Sequence, residues 1–300
     1  MIGLGKMGAN MAERLIRDGH RVVGFDVTGD AVAAHIGRGG EGADSLETLV
    51  AALPAPQAVW MMVPAGRPVD ATIEALLPHL ATGSLIVDGG NSFYKDTMRR
   101  AELCTRAGVE LVDVGTSGGV WGLDEGYSMM VGGSIGAVER LRTVLESLTP
   151  TAELGWGRVG PAGSGHFTKM VHNGIEYGLM QAYAEGFALL EAKKEFDLDL
   201  HQIAEIWRYG SVVRSWLLDL TATALKQNPT MDGIAPFVPD SGEGRWTVSE
   251  AIDLGVAVPI IAGSLFRRFL SRDEEGFADR MLSTMRNAFG GHAIKPESSS

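Results

Sequence analysis

Near the middle of the chain, four polar side chains that could move protons or bind a polar ligand recur at helical spacing. A helix places them on one side because they stand at positions i, i+3, i+4 and i+7: Lys169, His172, Asn173 and Glu176. A desolvated lysine can act as a base, and a carboxyl group can act as an acid. Lys169 and Glu176 are two turns apart, about 10 Å along a helix axis, which suits two different proton transfers on a molecule the size of a sugar acid.

A solvent-exposed stripe supported by Lys–Glu pairs is the alternative interpretation of this helix. Two features oppose it. His and Asn are mediocre helix formers and are uncommon choices for such a stripe. A glycine-rich turn at residues 163–165 also precedes the helix at the expected domain boundary, where ligand clefts form. The pattern therefore favours a catalytic helix.

The elements before this helix alternate short apolar strands with helices. Strands are predicted at residues 21–26, 58–63, 84–88 and 109–114, and helices at 9–18, 44–52, 67–80 and 93–107. Two further strand-like runs, 127–131 and 151–154, flank a helix near 135–148. This alternation predicts an α/β Rossmann-type domain with a parallel sheet covered by helices on both faces.

After Pro161 the strand patterns stop. Helices are predicted at residues 167–196, 201–207, 212–226, 248–254, 259–271 and 274–289, with a loop at 228–245. We therefore expect residues 1–160 to form a dinucleotide-binding Rossmann domain. Residues 161–300 are expected to form an all-α helical domain for substrate binding and oligomerisation.

The composition excludes several classes of protein. The 26 basic and 37 acidic residues give a net charge of −11, which argues against binding to nucleic acid or to a membrane surface. No apolar run approaches the roughly 20 residues of a membrane span, and the N-terminus lacks a signal-peptide pattern. A single cysteine, Cys104, cannot form an internal disulfide or a cysteine metal cluster. We expect a cytoplasmic protein without a metal site.

A glycine-rich turn at the start of the chain fits the dinucleotide-binding pattern G-x-G-x-x-G. Gly3 permits the tight turn, Gly5 lets the backbone approach a pyrophosphate, and Gly8 lets the helix pack on the sheet. Asp26 ends the next predicted strand, where a carboxylate accepts ribose hydroxyls and repels a 2′-phosphate. NAD is therefore expected over NADP. Only two residues precede Gly3, so either the first strand is unusually short or the native chain starts upstream.

Small polar residues follow two later strands of the predicted sheet. One run is residues 88–92, which includes Asn91, and the other is residues 113–119, which includes Ser117, Gly118 and Gly119. Ordinary turn chemistry would explain such residues. However, ligands of open α/β sheets bind beyond the carboxyl ends of strands, so we expect these turns to meet substrate and cofactor.

These motifs resemble a known family. Residues 3–11 (GLGKMGANM) resemble the signature of the β-hydroxyacid dehydrogenases. Within that group, residues 113–122 (DVGTSGGVWG), 126–130 (GYSMM) and 169–177 (KMVHNGIEY) resemble 6-phosphogluconate dehydrogenase in its short form. The resemblance covers nearly the whole chain.

The resemblance implies metal-free oxidative decarboxylation of 6-phosphogluconate to ribulose 5-phosphate. It makes Lys169 the base at the 3-hydroxyl and Glu176 the acid that protonates C1 of the enediol, with His172 and Asn173 beside them. The implied substrate contacts are Asn91, Ser117, Gly118, Gly119, His172, Asn173, Tyr177, Arg268, Arg286 and His292. The implied cofactor contacts are Gly3, Gly5, Lys6, Met7, Gly8, Asp26, Val63 and Asn91.

The resemblance also implies an oligomer and a phosphate site. Arg268 matches the family's phosphate-binding arginine, and residues 286–292 resemble a C-terminal motif, R-x-x-F-G-x-H, that enters a neighbouring subunit's site. A homodimer or homotetramer is therefore expected. Ser241 departs from the family, because a phosphate-binding lysine is usual there. Phosphate binding is then weaker, uses the hydroxyl, or shifts to Arg245 or Arg267.

Two other functions stay open at this point. One is another β-hydroxyacid dehydrogenase, such as a 3-hydroxyisobutyrate-type enzyme, which would not need Glu176 as an acid. The other is a non-catalytic NAD-binding sensor, against which the retained Lys169 argues. NADP stays the alternative cofactor.

Asp26→Ala tests the cofactor assignment. Removal of the carboxylate takes away both the ribose acceptor and the charge that repels a 2′-phosphate, so the ratio of kcat/KM for NAD to that for NADP should fall. Steady-state kinetics with each cofactor measure the ratio. An unchanged ratio would show that Asp26 does not determine the preference.

Overall fold

The computed structural model describes residues 1–296, and the chain divides into two compact units, Met1–Gly174 and Ile175–Ser300. The helix that carries Lys169 contains the division. The domain boundary expected at residues 160/161 stays a prediction. In the described part of the chain, no helix is both long enough and apolar enough to cross a membrane.

The first unit contains a twisted sheet. Five strands pair in the order β3 (Ala58–Met61), β4 (Leu85–Asp88), β5 (Glu110–Ser117), β6 (Ser128–Gly132) and β7 (Trp156–Gly160). A second, two-stranded sheet consists of β1 (Val23–Gly24) and β2 (Glu41–Gly42). The pairs are parallel except β5 with β6, which is antiparallel.

The first three residues join the two sheets. Ile2 bridges in parallel to both Phe25 and Met61, and its N–H donates to the carbonyl of Trp60 at 2.8 Å. The N–H of Gly3 donates to the carbonyl of Phe25 at 2.9 Å. This segment therefore takes the position of the very short first strand, between β1 and β3.

The helices of the first unit cover the two sheet faces. They are α1 (Lys6–Arg17), α2 (Gly29–Gly37), α3 (Leu46–Ala51), α4 (Arg67–Leu76), α5 (Tyr94–Arg106), α6 (Gly122–Glu125), α7 (Ile135–Arg140), α8 (Arg142–Leu148) and the first part of α9 (Ser164–Ala192). A 3₁₀ turn spans Gly119–Trp121.

Alternating side chains of the buried strands form a separate core on each face. Val87 and Val112 belong to one cluster, together with Met11 of α1, whereas Ile86 and Leu111 belong to the other, together with Ile73 of α4. Strands buried on both faces explain why the sequence shows continuous apolar runs there. The expected fold class, a Rossmann-type α/β domain followed by a helical domain, is confirmed.

Several predicted elements differ from the observed ones. The strand expected at 151–154 is only an isolated bridge between Thr151 and Leu154, and the strand at that sheet edge is β7. The helix expected at 135–148 breaks into α7 and α8 at Leu141. The antiparallel β6 is a further correction to an all-parallel sheet, and α2 and β2 were not predicted. Short elements are missed because glycines interrupt their patterns.

The second unit is helical in its described part. It contains the rest of α9, then α10 (Leu200–Arg208), α11 (Trp216–Gln227), α12 (Glu243–Asp253), α13 (Pro259–Leu270) and α14 (Phe277–Gly290), with a 3₁₀ turn at Lys194–Phe196. Phe187, Leu218 and Leu225 form its buried core, and the Phe187 ring meets the Trp207 ring edge-on at 5.7 Å. Helix α12 begins five residues before the predicted start, inside the expected loop.

A buried carboxylate links α12 and α13 to the loop before them. Asp240 accepts from Nε of Arg245 at 2.8 Å and from Nη2 of Arg272 at 2.8 Å. Both guanidinium groups lie over the Phe269 ring, 4.4 and 5.5 Å from its centre. Hydrogen bonds from Arg245 and then Arg272 lower the pKa of Asp240 to about 2.

Asp240→Asn should destabilise the protein in a pH-dependent way. The unfolded carboxyl titrates near about 3.9, whereas the folded pKa is about 2. The ionised carboxylate therefore stabilises the fold above the unfolded pKa, and this contribution is lost as the pH falls through about 2. We expect a loss of about 1–2 kcal/mol near neutral pH that shrinks below about pH 4. Urea unfolding across pH measures it. Asp279→Asn, at an exposed site, is the control, and an equal effect of both variants would contradict the assignment.

Candidate functional site

The glycine turn and the strand ends of the first unit line one cavity. Gly3 has a φ of +86°, and a Cβ there would lie 2.5 Å from the carbonyl oxygen of Met62. A Cβ on Gly8 would lie 1.9 Å from the carbonyl oxygen of Gly3, whereas Gly5 faces open space. The turn therefore packs closely on one side and leaves room for a ligand on the other.

The cavity has a volume of about 850 Å³. Its lining includes these predicted cofactor residues: Gly3, Gly5, Met7, Asp26, Val63 and Asn91. Lys6 is exposed at the first position of α1, and Gly8 is buried. Pro68, Ala71 and Thr72 of α4 complete one wall, which the sequence reasoning did not identify.

Asp26 braces the glycine turn as well as facing the cavity. Its Oδ2 accepts from the N–H of Leu4 at 2.7 Å, and its Oδ1 accepts from the N–H of Thr28 at 2.8 Å. A carboxylate has about four acceptor positions, so it retains capacity for a ligand hydroxyl. Val27 and Thr28 are exposed and uncharged. The residues fit the adenosine ribose of a dinucleotide without a 2′-phosphate.

A buried arginine contacts the start of α4, next to the residues that line the cavity. Arg100 of α5 donates to Oδ1 of Asp70 at 2.9 Å and to the carbonyl of Gly66 at 2.9 Å, both at the start of α4. Its Nη1 lies 3.9 Å from Oδ2 of Asp88 at the end of β4. Hydrogen bonds from Arg100 and then Arg99 lower the pKa of Asp70 to about 2. Arg100 therefore holds the start of α4, whose residues Pro68, Ala71 and Thr72 line the cavity.

Asn91 joins the ends of β4 and β5. Its side chain donates to the carbonyl of Thr116 at 3.1 Å and accepts from the N–H of Thr116 at 2.9 Å. Its φ of +53° is unusual for a non-glycine residue. Ser117 ends β5, and Gly118 and Gly119 follow with φ values of +129° and +54°. Asn91 therefore lies next to the run 113–119, but residues 113–117 of that run belong to β5, and only Gly118 and Gly119 follow the strand as predicted.

Lys169 is buried where α9 lies against β5. Only 5% of its surface is exposed, and its Nζ lies 3.3 Å from Nδ1 of His172. That nitrogen lies 3.0 Å from Oδ1 of Asn173. The three side chains of Lys169, His172 and Asn173 therefore form one hydrogen-bonded row on α9. Glu176, half-buried, follows two turns after Lys169 on α9.

In the second unit, Tyr177 contacts two other candidate residues, Ser241 and Arg268. Its hydroxyl oxygen accepts from the N–H of Ser241 at 3.0 Å and lies 3.2 Å from the Ser241 hydroxyl. The Arg268 guanidinium lies 3.5 Å from the centre of the Tyr177 ring and donates to the carbonyl of Pro239 at 2.9 Å. Gly244 permits this packing, because a Cβ there would lie 2.6 Å from the Tyr177 ring.

The other candidate cations are placed differently. The Nε and Nη2 atoms of Arg245 donate to the two carboxylate oxygens of Asp240, and Arg267 is exposed on α13. Arg286 is exposed on α14, and His292 is exposed after that helix. Of the expected substitutes for a lysine at position 241, the Ser241 hydroxyl lies at Tyr177 beside Arg268, whereas Arg245 is paired with Asp240 and Arg267 is exposed.

Asp113 opens the run 113–119 that was expected to meet substrate and cofactor, but it lies within β5 and not in a turn. Its carboxylate is fully buried in β5 and accepts from the N–H groups of Gly163 at 2.6 Å and His166 at 2.8 Å, at the start of α9. An acidic residue within an apolar strand was the available signal, because a buried charge requires partners. Among residues 1–296, no group of three His, Cys, Asp or Glu side chains could hold a metal ion.

Comparisons with known proteins identify the family of this chain. A family model described as the NAD binding domain of 6-phosphogluconate dehydrogenase matches residues 1–157, and one for that enzyme's C-terminal domain matches residues 165–293. An NAD(+)-dependent, decarboxylating 6-phosphogluconate dehydrogenase of Haloferax volcanii is 45% identical over 98% of this chain and 97% of that protein.

Solved structures show the same fold. Plasmodium falciparum 6-phosphogluconate dehydrogenase, described with NADP+ and with 6-phosphogluconate, superposes with a TM-score of 0.84 at 29% identity, over 99% of this chain and 66% of that longer chain. Mycobacterium tuberculosis 3-hydroxyisobutyrate dehydrogenase, at 24% identity, superposes with a TM-score of 0.73 over 93% of this chain and 92% of that one. The second likeness concerns the fold alone.

Proposed function

Because this chain belongs to the 6-phosphogluconate dehydrogenase family, we propose that it catalyses the NAD-dependent oxidative decarboxylation of 6-phosphogluconate to ribulose 5-phosphate and CO2. The observation that carries the proposal is Lys169, buried on α9 beside His172 and within the segment that matches the family.

NAD is the proposed cofactor because the cavity fits it. The glycine turn leaves open space at Gly5, and Asp26 stands at the strand end with uncharged neighbours. When bound, NAD accepts the hydride from C3 of the substrate. The N–H groups at the start of α1 bind its phosphates, and Asp26 accepts from its ribose hydroxyls.

Lys169 and Glu176 have separate roles in this proposal. Neutral Lys169 takes the proton of the 3-hydroxyl as the hydride leaves C3, which produces a 3-keto acid. The carbon–carbon bond to the carboxylate then breaks, and its electron pair moves toward the 3-oxygen, where the Lys169 ammonium stabilises the developing negative charge. Glu176, as an acid, delivers a proton to the carbon that becomes C1 of the pentulose. A keto group one carbon from the carboxylate makes a metal unnecessary.

In the first unit, the proposed substrate contacts are Asn91, Ser117, Gly118 and Gly119 at the strand ends, with His172 and Asn173 on α9. In the second, Tyr177 and Arg268 take the phosphate, and Ser241 contributes its hydroxyl. The Arg268–Tyr177–Ser241 cluster supports this assignment because it combines one cation with two hydroxyl groups.

We also propose a homodimer or homotetramer in which Arg286 and His292 complete a neighbouring subunit's site. Large apolar side chains on the second unit support this, since Val212, Leu189 and Ile206 are 99%, 74% and 62% exposed. Sedimentation equilibrium measures the mass, and a monomer would contradict it. The cytoplasm is the proposed location, where nicotinamide cofactors and phosphorylated sugar acids are available.

The decisive experiment incubates the purified protein with 6-phosphogluconate and either NAD or NADP, and follows reduced cofactor and CO2 together. Equal amounts of both products, with NAD preferred, are expected. Reduced cofactor without CO2 would indicate another β-hydroxyacid dehydrogenase. Cofactor binding without turnover would indicate a sensor.

Lys169→Ala and Glu176→Gln should each lower kcat by about 10²-fold or more, since each removes a proton-transfer group. Stopped-flow measurement of cofactor reduction separates the two. Lys169→Ala slows the reduction itself, whereas Glu176→Gln impairs the protonation that follows decarboxylation. Lys194→Ala, at an exposed lysine, is the control. A near-normal rate in either variant would remove that residue from its role.

Arg268→Ala should raise KM for 6-phosphogluconate by roughly ten- to a hundredfold, the effect of losing one hydrogen-bonded charge pair. The KM for gluconate, which lacks the phosphate, should change little. Arg267→Ala, at the exposed neighbour on α13, is the matched control. Equal effects on the two substrates would argue against a phosphate contact.

A further inference from the structure

The position of Lys169 depends on a buried carboxylate in the sheet. Asp113 has no exposed surface, and its two oxygens accept from two N–H groups at the start of α9, one on each oxygen. The first N–H groups of a helix lack partners within the helix and carry partial positive charge. The carboxylate therefore compensates its own burial by holding the helix terminus.

The same strand touches Lys169 directly. A Cβ on Gly115, two residues after Asp113 on β5, would lie 2.4 Å from Cβ of Lys169. His166, whose N–H binds Asp113, precedes Lys169 by three residues, or about one helical turn. Asp113 and Gly115 lie two residues apart on the same side of β5. Asp113 binds the start of α9, and Gly115 contacts the Lys169 stem one turn later.

Two further glycines permit this close approach. A Cβ on Gly165 would lie 2.6 Å from the carbonyl oxygen of Asp113, and a Cβ on Gly132 would lie 2.4 Å from Oδ1 of Asp113. The helix terminus therefore sits against backbone, with no flexible side chains between. Small displacements of α9 have little room to be absorbed, because packed interiors transmit strain.

The first turns of α9 are also tied to α5. The Nδ1 atom of His166 lies 2.8 Å from the Thr97 hydroxyl, in a buried contact. The Phe167 ring meets the Tyr94 ring edge-on at 5.2 Å. These contacts restrict rotation of the helix, whereas Asp113 fixes how far its start lies from β5.

We propose that Asp113 is a positioning residue for the reaction: its carboxylate sets the distance of the start of α9 from β5 and thereby the place of the Lys169 amine. This rests on the proposed function, in which Lys169 is the base. Asp113 does not touch the substrate in this role, so its loss should lower kcat more than it weakens cofactor binding.

Asp88 provides a matched comparison. It pairs in register with Asp113 on the neighbouring strand, and it is also fully buried. Its carboxylate accepts from the N–H of Gly90 and from the Ser92 hydroxyl, so it supports the cofactor cavity and not α9. The same substitution at the two positions therefore removes equal buried charge from different parts of the first unit.

The test compares Asp113→Asn with Asp88→Asn in the full chain. Kinetic constants are expressed per NAD-binding site, so partial unfolding does not count as lost activity. Asp113→Asn should lower kcat by about 10²-fold with KM for NAD within about threefold of wild type, because misplacement of a reacting group costs rate. Asp88→Asn should mainly raise KM for NAD. With substrate deuterated at C3, the isotope effect on kcat should increase in Asp113→Asn only.

Hydrogen exchange supplies a readout that does not need activity. Amides of Gly163 and His166 should exchange at least about tenfold faster in Asp113→Asn than in wild type or Asp88→Asn. If Asp113→Asn does not fold, Gly115→Ala replaces it, because a Cβ there displaces the Lys169 stem without changing charge. It should show the same fall in kcat.

The outcomes separate the two proposals. Wild type without turnover of 6-phosphogluconate overturns the proposed function and the role built on it. Active wild type, with either Asp113→Asn or Gly115→Ala retaining kcat, overturns the positioning role alone. Equal changes in kcat and KM in the two Asp variants also overturn it, because they indicate general structural damage.

Discussion

A single buried charge connects the sheet of the first unit to the helix that carries its chemistry. Asp113 ends up inside β5 with no exposed surface, a position that is costly for a carboxylate unless donors surround it. The unpaired N–H groups at the start of α9 are those donors. Helix α9 continues from this anchor to Lys169, so the candidate base takes its place on β5 from the anchored start of the helix.

Few cationic side chains of this acidic protein are placed at proposed ligand contacts. A net charge of −11 opposes anionic ligands at long range. Several cations are already neutralised, since Arg245 and Arg272 hold Asp240 and Arg100 holds Asp70. Lys169 and Arg268 are two of the cations placed at proposed ligand contacts. Attraction of the substrate therefore depends on contacts at short range rather than on an overall field.

The sequence predicted those features that depend on local chemistry. The glycine turn, Asp26 and the spacing from Lys169 to Glu176 are each encoded within short segments. Asp113 could not be assigned because its partners, Gly163 and His166, lie some fifty residues later and meet it only in the folded sheet. The strand at that sheet edge was predicted at residues 151–154, whereas β7 spans Trp156–Gly160. The sequence of β7 contains two glycines and lacks the apolar pattern of a buried strand. Likewise, the role of Arg245 required knowledge of Asp240's neighbours.

The two hydrogen bonds that Asp26 accepts link the expected cofactor preference to the structure of the glycine turn. One oxygen holds the N–H of Leu4, inside the turn that approaches the phosphates, and the other holds Thr28. The residue expected to discriminate between NAD and NADP therefore also holds the glycine turn in place. A variant that uses NADP must replace the hydrogen bonds that Asp26 accepts as well as its negative charge. Exchange of cofactor in such a protein therefore requires several simultaneous substitutions.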